Sequence, residues 1–210
     1  MIQKNDDETR RNAAKIIAGG GIIAFRTDTF YGLGADPFNA SAVGKIRKLK
    51  GREEAKPILL LISDLSEVTR FISDPSETFK SVADRFWPGP ITLIGVAQPE
   101  LPIELTAGTK TIGLRLPDDE DVRTLVRACG GALTATSANT SSNDPATTAD
   151  EVVRYFPVGV DLILDGGTVT ATEPSTVLDL STASPRLIRE GAIKREMLGG
   201  LSADFADYTD

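Results

Sequence analysis

The chain has 210 residues, of which 40% are hydrophobic and 25% charged, enough to bury a substantial core in one domain or in two small ones. A formal net charge of -7 argues against a nucleic-acid binder that works through its whole surface, while leaving room for a local basic cleft. There is no histidine and one cysteine, Cys129, which excludes Ser-His-Asp triads, Cys-His pairs, histidine general bases, His-ligated zinc and an internal disulfide.

Chemistry must therefore rest on Lys, Arg, carboxylates, hydroxyls and backbone amides. The segment "MIQKNDDETRRNAAKIIAGGG" is charged and has no apolar signal region, and no apolar run approaches transmembrane length. A cytoplasmic protein with no membrane partner is the expectation.

In chain order, "ETRRNAAKIIAGGG" carries helical apolar spacing that stops at Gly19, and "IIAF" follows as a short buried strand. "RTDTFYGLGADPF" reads as a loop closed by side-chain hydrogen bonds, with Gly32 and Gly34 supplying unusual backbone angles. "NASAVGKIRKLKG" is a helix with Asn39 as N-cap and Gly51 as stop. "KPILLLI" is a buried strand, after which Asp64 and Glu67 occupy capping-box positions. "DPSETFKSVADRFW" is a helix with Asp74 as cap, Pro75 at the first helical position and Glu77 in the first turn, ended by the breaker "WPGP". "ITLIGVA" and "TIGLRL" are strands, "DEDVRTLVRACGG" is a helix, and "ALTATSAN" is a strand running into a polar loop. "TADEVVRYF" is a helix with Thr148 and Glu151 as a capping box, and "DLILDGG", "STVLDL" and "PRLIRE" complete the strands. This interleaving predicts an α/β fold with a central mixed sheet covered by helices, as one domain over residues 1–210 with an acidic, frayed tail from about residue 200.

Sites in such folds gather in loops at strand ends. Four loops carry unusual chemistry. Thr27, Asp28, Thr29 and Tyr31 follow the first buried strand. In the next helix Val43, Ile46 and Leu49 form the apolar stripe, and Lys50 projects toward that side. Lys50 there either complements the helix dipole and snorkels, or joins Arg52 in holding an anionic ligand. Ser137 and Asn139 offer short donors and acceptors where a strand ends. Ser175 and Thr176 begin a strand, and Arg189 ends one. Arg115 falls inside an apolar strand, where a charge needs a partner or a ligand.

The ordered series "RTDTFYGLGADPF", "KLKGR…KPI", "FWPGPITLI", "TIGLRLP", "TSAN", "PSTVLDL" and "LIREGAI" resembles the threonylcarbamoyl-AMP synthase family, the YrdC-like proteins. The resemblance spans roughly residues 22–193. The pair Lys50/Arg52 with the pair Ser137/Asn139 looks like the family signature.

The resemblance implies a YrdC-like fold, a twisted mixed sheet flanked by helices with a concave basic cleft. It implies an L-threonylcarbamoyladenylate synthase, a nucleotidyltransferase that joins L-threonine, bicarbonate and ATP into threonylcarbamoyl-AMP and diphosphate for tRNA threonylcarbamoyladenosine modification. By motif, Thr29, Arg115 and Ser175 or Thr176 are expected at the threonine. Arg52, Lys56, Thr111, Ala135, Ser137, Asn139 and Arg189 are expected at the nucleotide, Ala135 through backbone groups alone. Lys50 and Arg52 are the catalytic candidates, with Lys50 stabilising charge on the carbamate or phosphate. Magnesium is expected with ATP, bound mainly through phosphates and water, with no metal-ligating protein residues. Downstream tRNA threonylcarbamoyl-transferase proteins are the implied partners, with tRNA contact as a further one.

The chain departs from the family pattern at Arg26, where proline is usual, at Lys56, where Asn or His is usual, and at Leu61, where many members have histidine. "REG" replaces the commoner "RPG", and "KTIGLRLP" with "REGAI" is also similar to the YciO-like sister branch. That branch lacks a clear Ser-x-Asn, so the retained signature pairs favour the synthase. The second domain that some longer synthases carry has no room here. Two rival readings are an RNA-binding YrdC/YciO-like protein without synthase activity and a related carbamoyl-transfer or hydrolytic enzyme. Only 6% aromatic residues, without aromatic-basic alternation, disfavours the first.

Overall fold

The computed structural model describes residues 1–51, 57–140, 143–171 and 173–199. Arg52, Lys56 and the expected acidic tail lie outside these.

The elements run β1 (Ile2–Lys4), α1 (Asp7–Ala18), β2 (Ile23–Arg26), β3 (Tyr31–Gly34), α2 (Ala40–Leu49) and β4 (Leu60–Ile62). Then come α3 (Val68–Phe71), α4 (Glu77–Phe86), β5 (Ile91–Val96), α5 (Ile103–Thr106), β6 (Thr111–Arg115) and α6 (Glu120–Ala128). The chain continues with β7 (Ala132–Thr134), β8 (Thr136–Ser137), α7 (Ala149–Tyr155), β9 (Leu162–Asp165), β10 (Thr176–Asp179) and β11 (Arg186–Arg189).

The strands form two mixed sheets. One has the order β1-β9-β2-β3-β8, the other β11-β10-β5-β6-β4-β7. The chain passes from the second sheet to the first at Ala135, between β7 and β8, and the Thr134 N–H donates to Ala35 O at 3.0 Å across the join. The larger apolar cluster contains Leu60, Leu93, Ile112, Leu114 and Phe71, and a second holds Ala13, Ile17, Phe25, Leu61, Leu125 and Leu133. Each fully buried Leu, Ile or Phe contributes about 1.5–3 kcal/mol relative to exposure. Leu61 is fully buried there, so the departure at this position is a core residue.

Several local expectations change. "YGLG" is a strand, β3, paired antiparallel with β2, because the turn at residues 27–30 folds the segment back as a hairpin. Neither Gly32 nor Gly34 has a positive φ. Gly34 is needed for space instead: a Cβ there would stand 2.7 Å from Phe25 Cε1. Ser76, not Asp74, caps α4, its hydroxyl accepting from the Phe79 N–H at 3.1 Å. Asp64 makes no capping bond and faces Arg127, while Glu67 pairs with Arg70. Thr148 caps α7 as expected, but Glu151 reaches the Thr147 N–H at 2.7 Å, one residue before the box position. Asn39 caps α2, and Gly51 stops it with φ +63.

Candidate active site

The turn after β2 is built by Thr27. Its hydroxyl donates to Phe30 O at 2.7 Å and lies 3.2 Å from the Thr29 and Phe30 amides, which closes four residues in the manner of a Ser/Thr turn. That closure aims Thr27 and Thr29 at the end of β6. There Arg115, 3% exposed, donates from Nη1 to Thr29 Oγ1 at 3.2 Å and from Nη2 to Thr27 Oγ1 at 3.5 Å.

Arg115 Nη2 also stands 3.0 Å from Asp28 Oδ1, out of line for a hydrogen bond. Among the described residues Arg115 Nε has no hydrogen-bond partner. Burial pushes the Arg115 guanidinium below its ordinary value and the Asp28 carboxyl above its own, and their mutual attraction opposes both shifts. Asp28 answers the question of what compensates a charge in an apolar strand. It was visible in the sequence as a neighbour of Thr29, yet nothing in its spacing ties it to a strand 87 positions away.

Lys50 is the C-cap of α2 and is 3% exposed. The spacing from Val43 and Ile46 carries it inward, as the apolar stripe predicts. Its ammonium donates to the Ser137 carbonyl, to Ser137 Oγ at 3.3 Å and to Asn139 Oδ1 at 2.9 Å. Ser137 Oγ in turn donates to Asn139 Oδ1 at 2.6 Å. Lys50 therefore joins both residues of the second signature pair.

On the opposite side Arg189, exposed at the end of β11, donates to the Ser175 carbonyl from Nη2 at 2.7 Å and from Nε at 3.2 Å. Partial desolvation of the guanidinium lowers its pKa from the ordinary value. Ser175, 5% exposed, also lies 3.2 Å from Thr92 Oγ1.

These groups enclose one cavity of about 520 Å³. Thr29, Arg115, Ala135, Ser137, Ser175 and Arg189 line it. Both sheets contribute, so the cavity sits where they meet, at the C-terminal ends of β6 and β11. Its volume falls in the range of about 300–1,000 Å³ usual for small-molecule sites.

Four expected residues among those described stand outside that lining, and Lys50, the catalytic candidate, is one of them: it reaches the cavity through its contact with Ser137. Thr176 turns away: its hydroxyl donates to Ile193 O at 2.6 Å and accepts from the Gly191 and Ile193 amides at 3.0 Å, because strand alternation points it opposite to Ser175. Thr111 is at the other end of β6 from Arg115, bonded to Thr109 Oγ1 at 2.9 Å and outside the cavity lining. Asn139 contacts Ser137 without lining the cavity itself.

Arg26 is held by Asp119, 2.6 Å away, whose other oxygen caps α6. Tyr31 is fully buried, donates to Gly167 O at 2.9 Å and has its phenol pushed up to about 12, first by burial and then by Asp165. It pins β3 to the end of β9. Burial pushes the Cys129 thiol up to about 12 as well, which fits a packing role beside the smaller core cluster.

Among the described residues, no three His, Cys, Asp or Glu side chains gather in a way that could hold a metal ion. Asp28, between the lining residues Thr27 and Thr29, pairs with Arg115. Among the same residues, no helix is long and apolar enough to cross a membrane.

The family model Sua5_yciO_yrdC, described as telomere recombination, matches residues 15–191. A threonylcarbamoyl-AMP synthase of Thiobacillus denitrificans is 39% identical over 163 residues, covering 78% of this chain and 86% of that protein. The protein of the same name from Bacillus subtilis is 35% identical over 198 residues, covering 94% of this chain but 57% of its own length. The chain thus spans a little over half of that relative. The structure of Pyrococcus abyssi Sua5 complexed with L-threonine superposes with a TM-score of 0.89 at 31% identity, covering 96% of this chain and 59% of that one. With Lys50 in contact with Ser137 and Asn139 and the family model covering most of its length, the chain belongs to the Sua5/YciO/YrdC family.

Proposed function

We propose that the chain is an L-threonylcarbamoyladenylate synthase, a nucleotidyltransferase acting on L-threonine, bicarbonate and ATP. The observation that carries this reading is the meeting of Arg115, Arg189 and the Lys50-held Ser137 around one cavity whose other polar groups are hydroxyls. Such a site offers charge neutralisation and alignment without a covalent nucleophile or a histidine base. The similarity to threonylcarbamoyl-AMP synthases supports it.

In this reading the threonine amine nitrogen bonds to the carbon of bicarbonate and water leaves, giving a carbamate. A carbamate oxygen then attacks the α-phosphorus of ATP, the bond to the β-phosphate oxygen breaks, and diphosphate departs. Every bond made or broken lies between substrates, so the protein's contribution is positioning and electrostatics.

Arg115 takes the threonine carboxylate in a planar fork beside Thr29, and Ser175 closes over the same substrate. Arg189, the Ala135 backbone and Ser137 face the nucleotide, and Asn139 supports Ser137 from outside the cavity. Lys50 keeps the Ser137 segment in place and adds positive potential. Arg52 and Lys56 are assigned to the nucleotide by motif alone. Magnesium enters with ATP on phosphate oxygens and water, since the described side chains supply no cage for it. The adenylate then passes to tRNA threonylcarbamoyl-transferase proteins in the cytoplasm.

The test is an assay with ATP, bicarbonate and each amino acid in turn. Diphosphate and a carbamoyl adenylate are expected only when threonine and bicarbonate are both present. Diphosphate release that ignores threonine, or RNA affinity without any turnover, overturns the reading.

A further inference from the structure

Thr92 lies beneath the cavity and outside its lining. It is 2% exposed, in the middle of the second sheet. Leu93 stands opposite Leu114 and Ile94 opposite Gly113, so Thr92 and Arg115 point to the same face of neighbouring strands. A Cβ on Gly113 would come within 3.0 Å of Thr92 Cγ2, which places the Thr92 side chain on that face. On the other flank Thr92 Oγ1 meets Ser175 Oγ at 3.2 Å. Four neighbouring strands or strand ends thus present a row: Arg115, Thr92, Ser175, Arg189.

The polarity of this row is constrained. A guanidinium only donates, so Ser175 Oγ accepts from Arg189 Nη2, at 3.3 Å. The Thr92–Ser175 contact runs in either direction. When Ser175 donates to Thr92, it offers the cavity only a lone pair. When Thr92 donates to Ser175, the Ser175 O–H is released toward the cavity and can donate to an anion.

We propose that Thr92 is a positioning residue for substrate recognition, whose hydroxyl turns Ser175 into a hydrogen-bond donor toward the anionic oxygens of the amino-acid substrate. This rests on the synthase reading above. Valine at position 92 has nearly the same shape and no hydroxyl. It removes the donor that occupies a Ser175 lone pair and directs the Ser175 O–H toward the cavity, while the sheet around it keeps its packing. Serine keeps the hydroxyl and loses only a methyl.

The experiment is calorimetric titration of the full-length chain with L-threonine and, separately, with ATP, for wild type, Thr92→Val and Thr92→Ser. Thr92→Val should raise the Kd for threonine by about tenfold, the worth of one hydrogen bond, with ATP affinity within about twofold. Thr92→Ser should restore threonine affinity to within about threefold of wild type, which general loosening of the sheet would not do. Wild-type threonine affinity in Thr92→Val, or equal weakening in both variants, overturns the role of Thr92 alone. Failure of the wild-type protein to bind threonine overturns the synthase reading and this role with it.

Discussion

The Lys50 ammonium lies 2.9 Å from Asn139 Oδ1, across 89 positions of sequence, and also bonds Ser137 through its carbonyl and hydroxyl. A buried lysine with three oxygen partners is a strut as well as a charge. It ties the end of α2 to β8, just after the chain crosses between the two sheets, so the cavity wall and its electrostatic potential depend on the same residue.

Removing that strut should therefore cost activity more than stability. Lys50→Ala is expected to lower kcat/KM by about 10²-fold or more, in line with loss of a preorganised charged donor. Far-UV circular dichroism should stay unchanged. Lys50→Arg should not rescue it, because a planar fork cannot reproduce three convergent bonds from one nitrogen. Near-normal turnover in Lys50→Ala would contradict the assignment.

The pair of Asp28 and Arg115 makes the opposite prediction. Both side chains are nearly enclosed, at 13% and 4% exposure. Asp28→Asn keeps the shape and strands a buried guanidinium, which should destabilise the fold by about 3–5 kcal/mol in urea denaturation. The double variant Asp28→Asn with Arg115→Met should recover much of that loss while abolishing threonine binding. A loss below about 1 kcal/mol in Asp28→Asn would show that solvent compensates Arg115.

Gly191 approaches the segment that carries Ser175. A Cβ there would collide with the Pro174 carbonyl oxygen and lie 2.8 Å from the Ser175 carbonyl carbon. Backbone cannot swing aside as a side chain can. Gly191→Ala should cost about 1–3 kcal/mol of stability. It should also weaken threonine binding, because relief moves Ser175. Thermal denaturation and threonine titration of the same variant check both halves.

Asp179 supplies a pH signature away from the site. Burial pushes its carboxyl up, but bonds from Ser181 and Arg186 outweigh burial, and the net shift is below 3.8. A carboxylate held below its unfolded value stabilises the fold at pH above that value and loses the contribution as pH falls through the folded pKa. The stability gap between wild type and Asp179→Asn should therefore be fully open above about pH 5 and close as pH falls below 3.8. Urea midpoints measured from pH 2.5 to pH 6 test this, and a constant gap would refute it.

The sequence by itself determined the elements whose signals are local. The helical stripe of Val43 and Ile46 predicted that Lys50 would point inward, and Asn39 and Gly51 marked the ends of that helix, because capping and periodicity depend on residues within a turn or two. The absence of histidine restricted the chemistry before any coordinates. Most candidate residues around the cavity were likewise legible as polar groups at strand ends.

Tertiary structure alone decided the rest. It made "YGLG" a strand, because a hairpin needs its partner β2 to satisfy the backbone. It gave Arg115 its counter-ion and set Thr92 beneath Ser175, since register between strands far apart in the chain is fixed by packing. It also separated Ser175 from Thr176, neighbours in sequence at the start of β10 whose side chains point opposite ways. A sequence names the residue types available to a site, whereas long-range pairing between strands selects which of them share a cavity.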